Sequence, residues 1–155
     1  MKGKEILDLA EMKDKDSQYS GLLGQRLYLI QKKVSLPPMF MLSSNVFKEL
    51  VQKDEIPERN HISWELELDI AKRFDELESP VVRIIPSPSY EHSVPPTTLV
   101  NSKPSLILGV DSLFRSYFER EEAEKREGMG VRDFGVAVIV QKFFDAKCSG
   151  YLTQK

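Results

Sequence analysis

A strongly apolar segment, Val136 to Phe144, limits the folds open to this chain more than any other part of the sequence. It is rich in Val and Ile, which favour β-strands, and a single polar residue, Gln141, interrupts its second half. The pair Ser149-Gly150 then marks a turn, and a new apolar stretch begins at Tyr151. A strand, a turn and the start of another strand predict that this sequence forms one half of a larger unit.

Length and charge narrow the function classes. The 155 residues predict one domain with a sizeable core. Acidic and basic residues are mixed and the formal net charge is −2, so the chain has no nucleic-acid footprint and no polybasic membrane patch. All apolar runs are far shorter than the roughly 20 residues that a spanning helix needs. The single Cys148 excludes an internal disulfide, which favours a reducing, cytoplasmic compartment, and we interpret it as an incidental thiol.

Breaker residues and apolar spacing predict the order helix, strand, helix, helix, strand, loop, helix, strand. This order is typical of an α/β or α+β layer in which helices pack on a small sheet. The predicted helices are Gly21 to Lys33, a segment capped by Ser43 or Ser44, Ser63 to Leu77, and Leu106 to Arg126 with a cap at Gly128. The predicted strands are Met39 to Leu42, Val81 to Ile85 and Phe134 to Phe144. The predicted connections are a polar loop at Asp54 to Asn60, a loop or irregular edge hairpin at Pro86 to Pro104, and a turn at Met129 to Asp133.

Two polar residues interrupt otherwise apolar strands. Arg83 must find an anion or emerge at an edge, because an unpaired buried charge is very costly. It could form a structural ion pair with a helix carboxylate, or it could bind phosphate through its planar fork of donors. Gln141 could cap its strand or read the edge of a ligand. The two histidines, His61 and His92, lie in predicted loops, and we interpret them as exposed residues rather than metal ligands.

Five motifs occur together in one order over residues 16–153. They are Gly21-Leu22-Leu23-Gly24, Leu36-Pro37-Pro38-Met39-Phe40, Val82-Arg83-Ile84-Ile85, Ser116-Tyr117-Phe118 with Arg126, and Val138-Ile139-Val140-Gln141-Lys142-Phe143-Phe144 followed by Ser149-Gly150-Tyr151-Leu152-Thr153. In this order the chain resembles the N-terminal ATP-binding domain of phosphoenolpyruvate synthase and pyruvate phosphate dikinase, which rifampin phosphotransferases share. The corresponding family motifs are a GGKG-type helix start, VPPGF, VRSS, SLF…YR, and VVVQxMV followed by SGVLFT.

The resemblance implies an ATP-grasp-like fold in which residues 1–155 form the first of two lobes that enclose ATP. It matches Arg83 and Arg126 to two phosphate-contacting arginines of the family. It matches Gln141, Lys142 and Phe143, with the backbone as far as Phe144, to the hinge that touches adenine. Magnesium would bind only with a second lobe, because that lobe supplies the metal-binding carboxylate in the family.

Departures from the family pattern concern the phosphate site. The lysine of GGKG falls at Leu22 or Leu23, and Arg26, one turn later, is the nearest cation that could replace it. The serines that follow the strand arginine are replaced by Ile84 and Ile85. The segment at the family's glycine-containing loop carries prolines, which remove N–H donors that a phosphate would use.

Three functions follow as hypotheses. The chain is a nucleotide-binding lobe without phosphotransferase activity of its own, since phosphoryl transfer depends on metal and cation stabilisation. Alternatively, it is one subunit of a split phosphotransferase that a second-lobe partner chain or a homodimer completes. Thirdly, it is a protein-interaction module that has lost nucleotide binding. No nucleic-acid or membrane partner is expected.

Overall fold

The fold is a five-stranded antiparallel sheet with helices on both faces. The computed structural model describes residues 4–53, 61–89, 97–126 and 135–144. The strands are β1 (Ile6–Leu7), β2 (Met39–Leu42), β3 (Val82–Pro88), β4 (Thr98–Val100) and β5 (Val136–Lys142). The helices are α1 (Asp14–Ser17), α2 (Gly21–Ile30), α3 (Ser44–Lys53), α4 (Trp64–Glu76) and α5 (Lys103–Arg126). The predicted small sheet with packed helices is confirmed at this level.

The segment that was most apolar in the sequence lies at the centre of the sheet. The strand order is β1-β2-β5-β3-β4, and every neighbouring pair is antiparallel. Residues Val136 to Val140 are fully buried, because β5 has a strand on each side and helices over both faces. The predicted start at Phe134 lies outside the described residues, and β5 begins at Val136.

Alternate residues of the strands supply two separate cores. One face packs against α3, α4 and α5 and includes Phe40, Ile84 and Val138. The opposite face packs against α2 and includes Met41 and Ile139, and we call this group the α2-side core. Successive side chains of a strand point to opposite faces, so the odd-numbered residues of β3, including Arg83, share the α2 face.

The prediction that the third strand ends at Ile85 is wrong, because β3 continues through Pro86 to Pro88. Backbone hydrogen bonds from Phe143 to Val81 (3.2 Å) and from Ser89 to Gly135 (2.9 Å) show that odd-numbered residues of β3 bond to β5. The even-numbered prolines therefore face away from β5, where their missing N–H breaks no bond of that ladder. Pairing with β4 covers only residues 82–84 of β3, and Pro86 is the next residue whose N–H that strand would need. β4 fits the predicted edge hairpin.

Ser43, one of the two caps predicted for α3, is present, and Ser63, which was predicted as the first residue of a helix, caps α4. Ser63 Oγ accepts a hydrogen bond from the Leu66 N–H at 3.2 Å, and Ser43 Oγ accepts one from the Asn45 N–H at 3.1 Å. α2 ends at Ile30 instead of Lys33, with a turn before the prolines. α5 begins three residues earlier than predicted, because Ser102 caps it through the Ser105 N–H at 3.2 Å. The predicted loop 54–60, the cap Gly128 and the turn 129–133 lie outside the described residues.

Two short elements near the N-terminal end were not predicted. β1 has two residues and α1 has four, too few for a hydrophobic period to appear in sequence. Long-range contacts hold them instead. Leu7 belongs to the α2-side core, Arg73 of α4 forms an ion pair with Asp8, and Tyr28 donates a hydrogen bond to Asp14 at 2.7 Å.

Candidate functional site

The sheet brings two of the predicted site residues, Arg83 and Gln141, together on the α2 face. The strand register places Met39, Gln141, Arg83 and Leu99 side by side on β2, β5, β3 and β4, and we call this set the cross-strand row. Directly opposite residues of antiparallel strands have Cβ atoms about 5 Å apart. The polar pair Gln141 and Arg83 therefore sits between two apolar neighbours.

Arg83 is half-buried, and its guanidinium lies over the ring of Phe143, with 5.6 Å from Cζ to the ring centroid. This cation–π contact turns the planar group toward the end of β5. Among the residues that the structure describes, no carboxylate forms an ion pair with Arg83. The helix carboxylate of the first interpretation is therefore not found there, and the second interpretation, an anion from outside, remains a prediction.

The backbone of the predicted hinge is partly engaged in the sheet. The N–H of Lys142 donates to the Pro38 carbonyl at 2.9 Å, and the N–H of Phe143 donates to the Val81 carbonyl at 3.2 Å. The ammonium of Lys142 lies 5.5 Å from the ring centroid of Phe144. Because these two N–H donors are occupied, a ligand that meets this hinge cannot accept hydrogen bonds from them.

Arg126 is not brought to the cross-strand row. It is the last residue of α5, which packs on the opposite face of the sheet. Gly109 of α5 lies against Ile84, the neighbour of Arg83. From Gly109 to Arg126 the helix advances about 25 Å at about 1.5 Å per residue. The role that the resemblance gave to Arg126 stays a prediction, and its backbone lies far from the other predicted site residues.

The start of α2, where the resemblance implies a phosphate site, is filled by a side chain from β3. Ser87 is fully buried. Its Oγ accepts a hydrogen bond from the Gly24 N–H at 3.1 Å and donates one to the Ser20 carbonyl at 2.7 Å. This hydroxyl bridges the two groups that would close the first turn of an ordinary helix. Sequence reasoning missed Ser87, because a serine between two prolines reads as loop.

Apolar side chains border the cross-strand row. Leu23, Leu27 and Ile85 are half-buried and pack around the α2-side core. Leu99, the middle residue of β4, is 52% exposed, and Phe144, two residues after β5, is 53% exposed. Beyond Met39 lies a cavity of about 290 Å³, lined mainly by residues 8–10 and 34–39. The residues around the row are therefore mainly apolar, and Arg83 and Gln141 are its two polar groups. This is the usual composition of a small-molecule site.

The remaining sequence predictions concern histidines and metals. His61 is exposed, as predicted, and His92 lies outside the described residues. Within residues 4–53, 61–89, 97–126 and 135–144, no group of three or more His, Cys, Asp or Glu side chains is arranged to hold a metal ion. Over the same part of the chain, no helix combines the length and the apolar character needed to cross a bilayer.

Comparison with known proteins adds no assignment. No protein-family model matches this sequence, and no curated protein matches it.

Proposed function

We propose that this chain is a nucleotide-binding lobe, related to the first lobe of the phosphoenolpyruvate synthase and pyruvate phosphate dikinase family, and that ATP binds at the cross-strand row. The observation that supports this proposal is the direct pairing of Arg83 with Gln141 across β3 and β5, on a half-buried surface with an aromatic ring beneath the guanidinium. An arginine and a glutamine side by side offer recognition of a phosphate and of a base within one site.

The chemistry of the two side chains suits the two ends of ATP. A glutamine amide carries one acceptor and two donors, and it can bond to N6 and N7 of adenine in a bidentate manner. A guanidinium binds phosphate through parallel N–H donors and keeps its charge at all relevant pH values. Because the ring of Phe143 already orients the guanidinium of Arg83, less side-chain entropy is lost on binding.

We expect no phosphoryl transfer by this chain alone. The reaction needs metal ions and cations that neutralise charge on the transferred group. The lysine of the family motif is replaced at Leu22 or Leu23, and the described residues contain no cluster suited to magnesium. Under this proposal a second lobe, from a partner chain or a second copy, supplies the metal site, as in a split phosphotransferase.

A second candidate function is a protein-interaction module that has lost nucleotide binding. Ser87 occupies the first turn of α2, and the N–H groups of Lys142 and Phe143 are bonded within the sheet. These contacts remove backbone donors that a nucleotide would use. The exposed Leu99 and Phe144 would then contact a protein instead of a base.

A thermal-shift titration separates the two candidates. A ligand that binds only the folded state at a hundred times its Kd stabilises it by about 2.7 kcal/mol. That corresponds to a rise in Tm of roughly 5–10 °C for a domain of this size. We expect ATP to raise the Tm of the wild type, and Arg83→Ala to abolish the response to both ATP and GTP. Gln141→Leu should remove only the preference for ATP over GTP.

The matched control is Lys72→Ala, which removes one exposed positive charge from α4 on the other side of the sheet. It should leave the ATP response unchanged. If Lys72→Ala weakens the response as much as Arg83→Ala does, the binding is non-specific attraction of phosphate to positive charge. If millimolar ATP leaves the wild-type Tm unchanged with and without magnesium, the nucleotide proposal is wrong and the interaction module is favoured.

A further inference from the structure

A polar cluster joins the approach to α4 to the middle of α5, on the face of the sheet opposite the cross-strand row. His61 precedes α4, and its Nδ1 lies 3.7 Å from Oδ2 of Asp111 and 3.4 Å from Nη2 of Arg115. The side chain of Asp111 is 12% exposed, whereas that of His61 is 56% exposed. One ring nitrogen of an exposed histidine therefore touches both an enclosed carboxylate and a guanidinium.

These two neighbours demand opposite protonation states of the same nitrogen. A guanidinium can only donate, so its contact requires a lone pair on Nδ1 and places the proton of neutral His61 on Nε2. An ionised carboxylate has no proton to donate and can only accept, so its contact requires a proton on Nδ1. Both demands cannot be met at once, and the protonation state of the imidazole decides which contact forms.

Asp111 is an enclosed carboxylate whose negative charge a proton on His61 would stabilise through Oδ2, the oxygen that faces Nδ1. Its Oδ1 is enclosed and has no hydrogen-bond partner among the described residues. Burial raises the pKa of Asp111, while a backbone hydrogen bond from Ile62 and the charges of His61 and Arg115 act in the opposite direction. The charged groups that act on this carboxylate are therefore His61 before α4 and Arg115 on its own helix.

We propose that His61, Asp111 and Arg115 form a proton-dependent latch between the start of α4 and the middle of α5. In the neutral state Arg115 donates to Nδ1 of His61. In the protonated state Nδ1–H turns to Oδ2 of Asp111 and the guanidinium of Arg115 is released. The proposal does not depend on nucleotide binding.

NMR titration of the His61 ring tests the latch. The chain has two histidines, so the variant His92→Gln leaves His61 as the only imidazole. We expect the neutral ring to carry its proton on Nε2. In this background Asp111→Asn should move the titration midpoint to lower pH, and Arg115→Gln should move it to higher pH, each by about 0.5–1 pH unit. Arg115→Gln should also weaken the preference for the Nε2–H form.

A second measurement tests whether the latch stabilises the start of α4. Hydrogen exchange of the amides at Ser63 to Leu66, corrected for the intrinsic effect of pH, should become slower below pH 6 in His92→Gln. The change should vanish when His61→Gln is added. A neutral ring that carries its proton on Nδ1, a midpoint unaffected by both neighbouring substitutions, or the same exchange profile with and without His61 would each overturn the proposal.

Discussion

The hydroxyl of Ser87 accepts a hydrogen bond from the amide of Gly24 at 3.1 Å, although the two residues are 63 positions apart in the chain. The same hydroxyl donates to Ser20 at 2.7 Å, so a strand side chain becomes part of the first turn of α2. This arrangement fixes the helix over the sheet. It also occupies a backbone N–H donor in the first turn of α2, where the resemblance implies a phosphate.

Ser87→Ala should destabilise the fold by about 1–3 kcal/mol, because it leaves the buried Gly24 N–H and Ser20 carbonyl without their partner. Urea unfolding of wild type and variant measures the loss. Ser17→Ala is the matched control, since its hydroxyl makes only an exposed local bond to Asp14 at 2.8 Å. That control should change stability by less than about 0.5 kcal/mol. Equal effects of the two substitutions would contradict the bridging role.

Gly21→Ala should destabilise the chain by about 3 kcal/mol or more, or prevent folding. Gly21 has φ +70°, and an added Cβ would lie 1.9 Å from the Ser87 carbonyl oxygen, a backbone atom that cannot turn aside. Gly109→Ala provides the comparison. There the nearest atom, at 2.6 Å, is the flexible end of Ile84, and alanine is the better helix former by about 1 kcal/mol. Thermal melts should rank Gly21→Ala as far more damaging.

Asp111→Asn should become progressively more stable than the wild type as pH rises. Burial raises the pKa of Asp111 in the folded state above its ordinary value, so the protonated carboxyl is favoured by folding. Its stabilising contribution is complete below the pKa of the unfolded chain, near 4, and is lost as pH rises through the folded-state pKa. Asparagine does not titrate. The difference in free energy of unfolding between the two proteins, measured from pH 4 to 8, should show this slope, and a slope of opposite sign would refute it.

Arg83→Lys should separate the charge of the side chain from its shape. Lysine keeps the positive charge but lacks the planar fork and stacks less well on Phe143. We expect a loss of stability of about 0.5–1 kcal/mol, the size of a partly exposed cation–π contact. We also expect the variant to lose most of the ATP-induced rise in Tm. Comparison of melts with and without ATP gives both quantities. A full ATP response in the lysine variant would indicate that only net charge attracts the nucleotide.

Ser63→Ala should cost about 1 kcal/mol, because Ser63 caps α4 through the Leu66 amide. Ser63→Asp should retain most of the stability, since a carboxylate can accept the same hydrogen bond and its negative charge is stabilised at a helix N-terminus. Urea midpoints of the three proteins should therefore order as wild type and Asp above Ala. If alanine is tolerated as well as aspartate, packing alone holds the start of α4.

Local patterns predicted most of the long elements. The β2 segment has the predicted bounds, Met39 to Leu42, and α4 differs from its prediction only at the ends. These segments combine a clear apolar period with strong breakers, so local and tertiary preferences agree. The extension of β3 through its prolines was not predictable, because it depends on which residues of β3 form hydrogen bonds with β5. That is a property of register and is invisible in one strand alone.

The candidate site was only partly accessible from sequence. Arg83 and Gln141 stand out in the sequence as polar residues in apolar strands, and the register places them opposite each other. Nothing in the sequence indicated that Ser87 reaches α2, or that His61 meets Asp111 and Arg115. Such contacts arise from the packing of distant elements. A hydrophobic period or a sequence motif describes residues that are close along the chain, so it carries no information about contacts between distant elements.

The two prolines of β3 also decide how this molecule can meet another one. An extended peptide that joins a sheet needs N–H donors along the edge strand that it pairs with. Pro86 and Pro88 have none to give on the side away from β5, so this stretch cannot template the growth of the sheet by β-augmentation. A partner that contacts this stretch must therefore be held through side chains and not through a shared strand ladder.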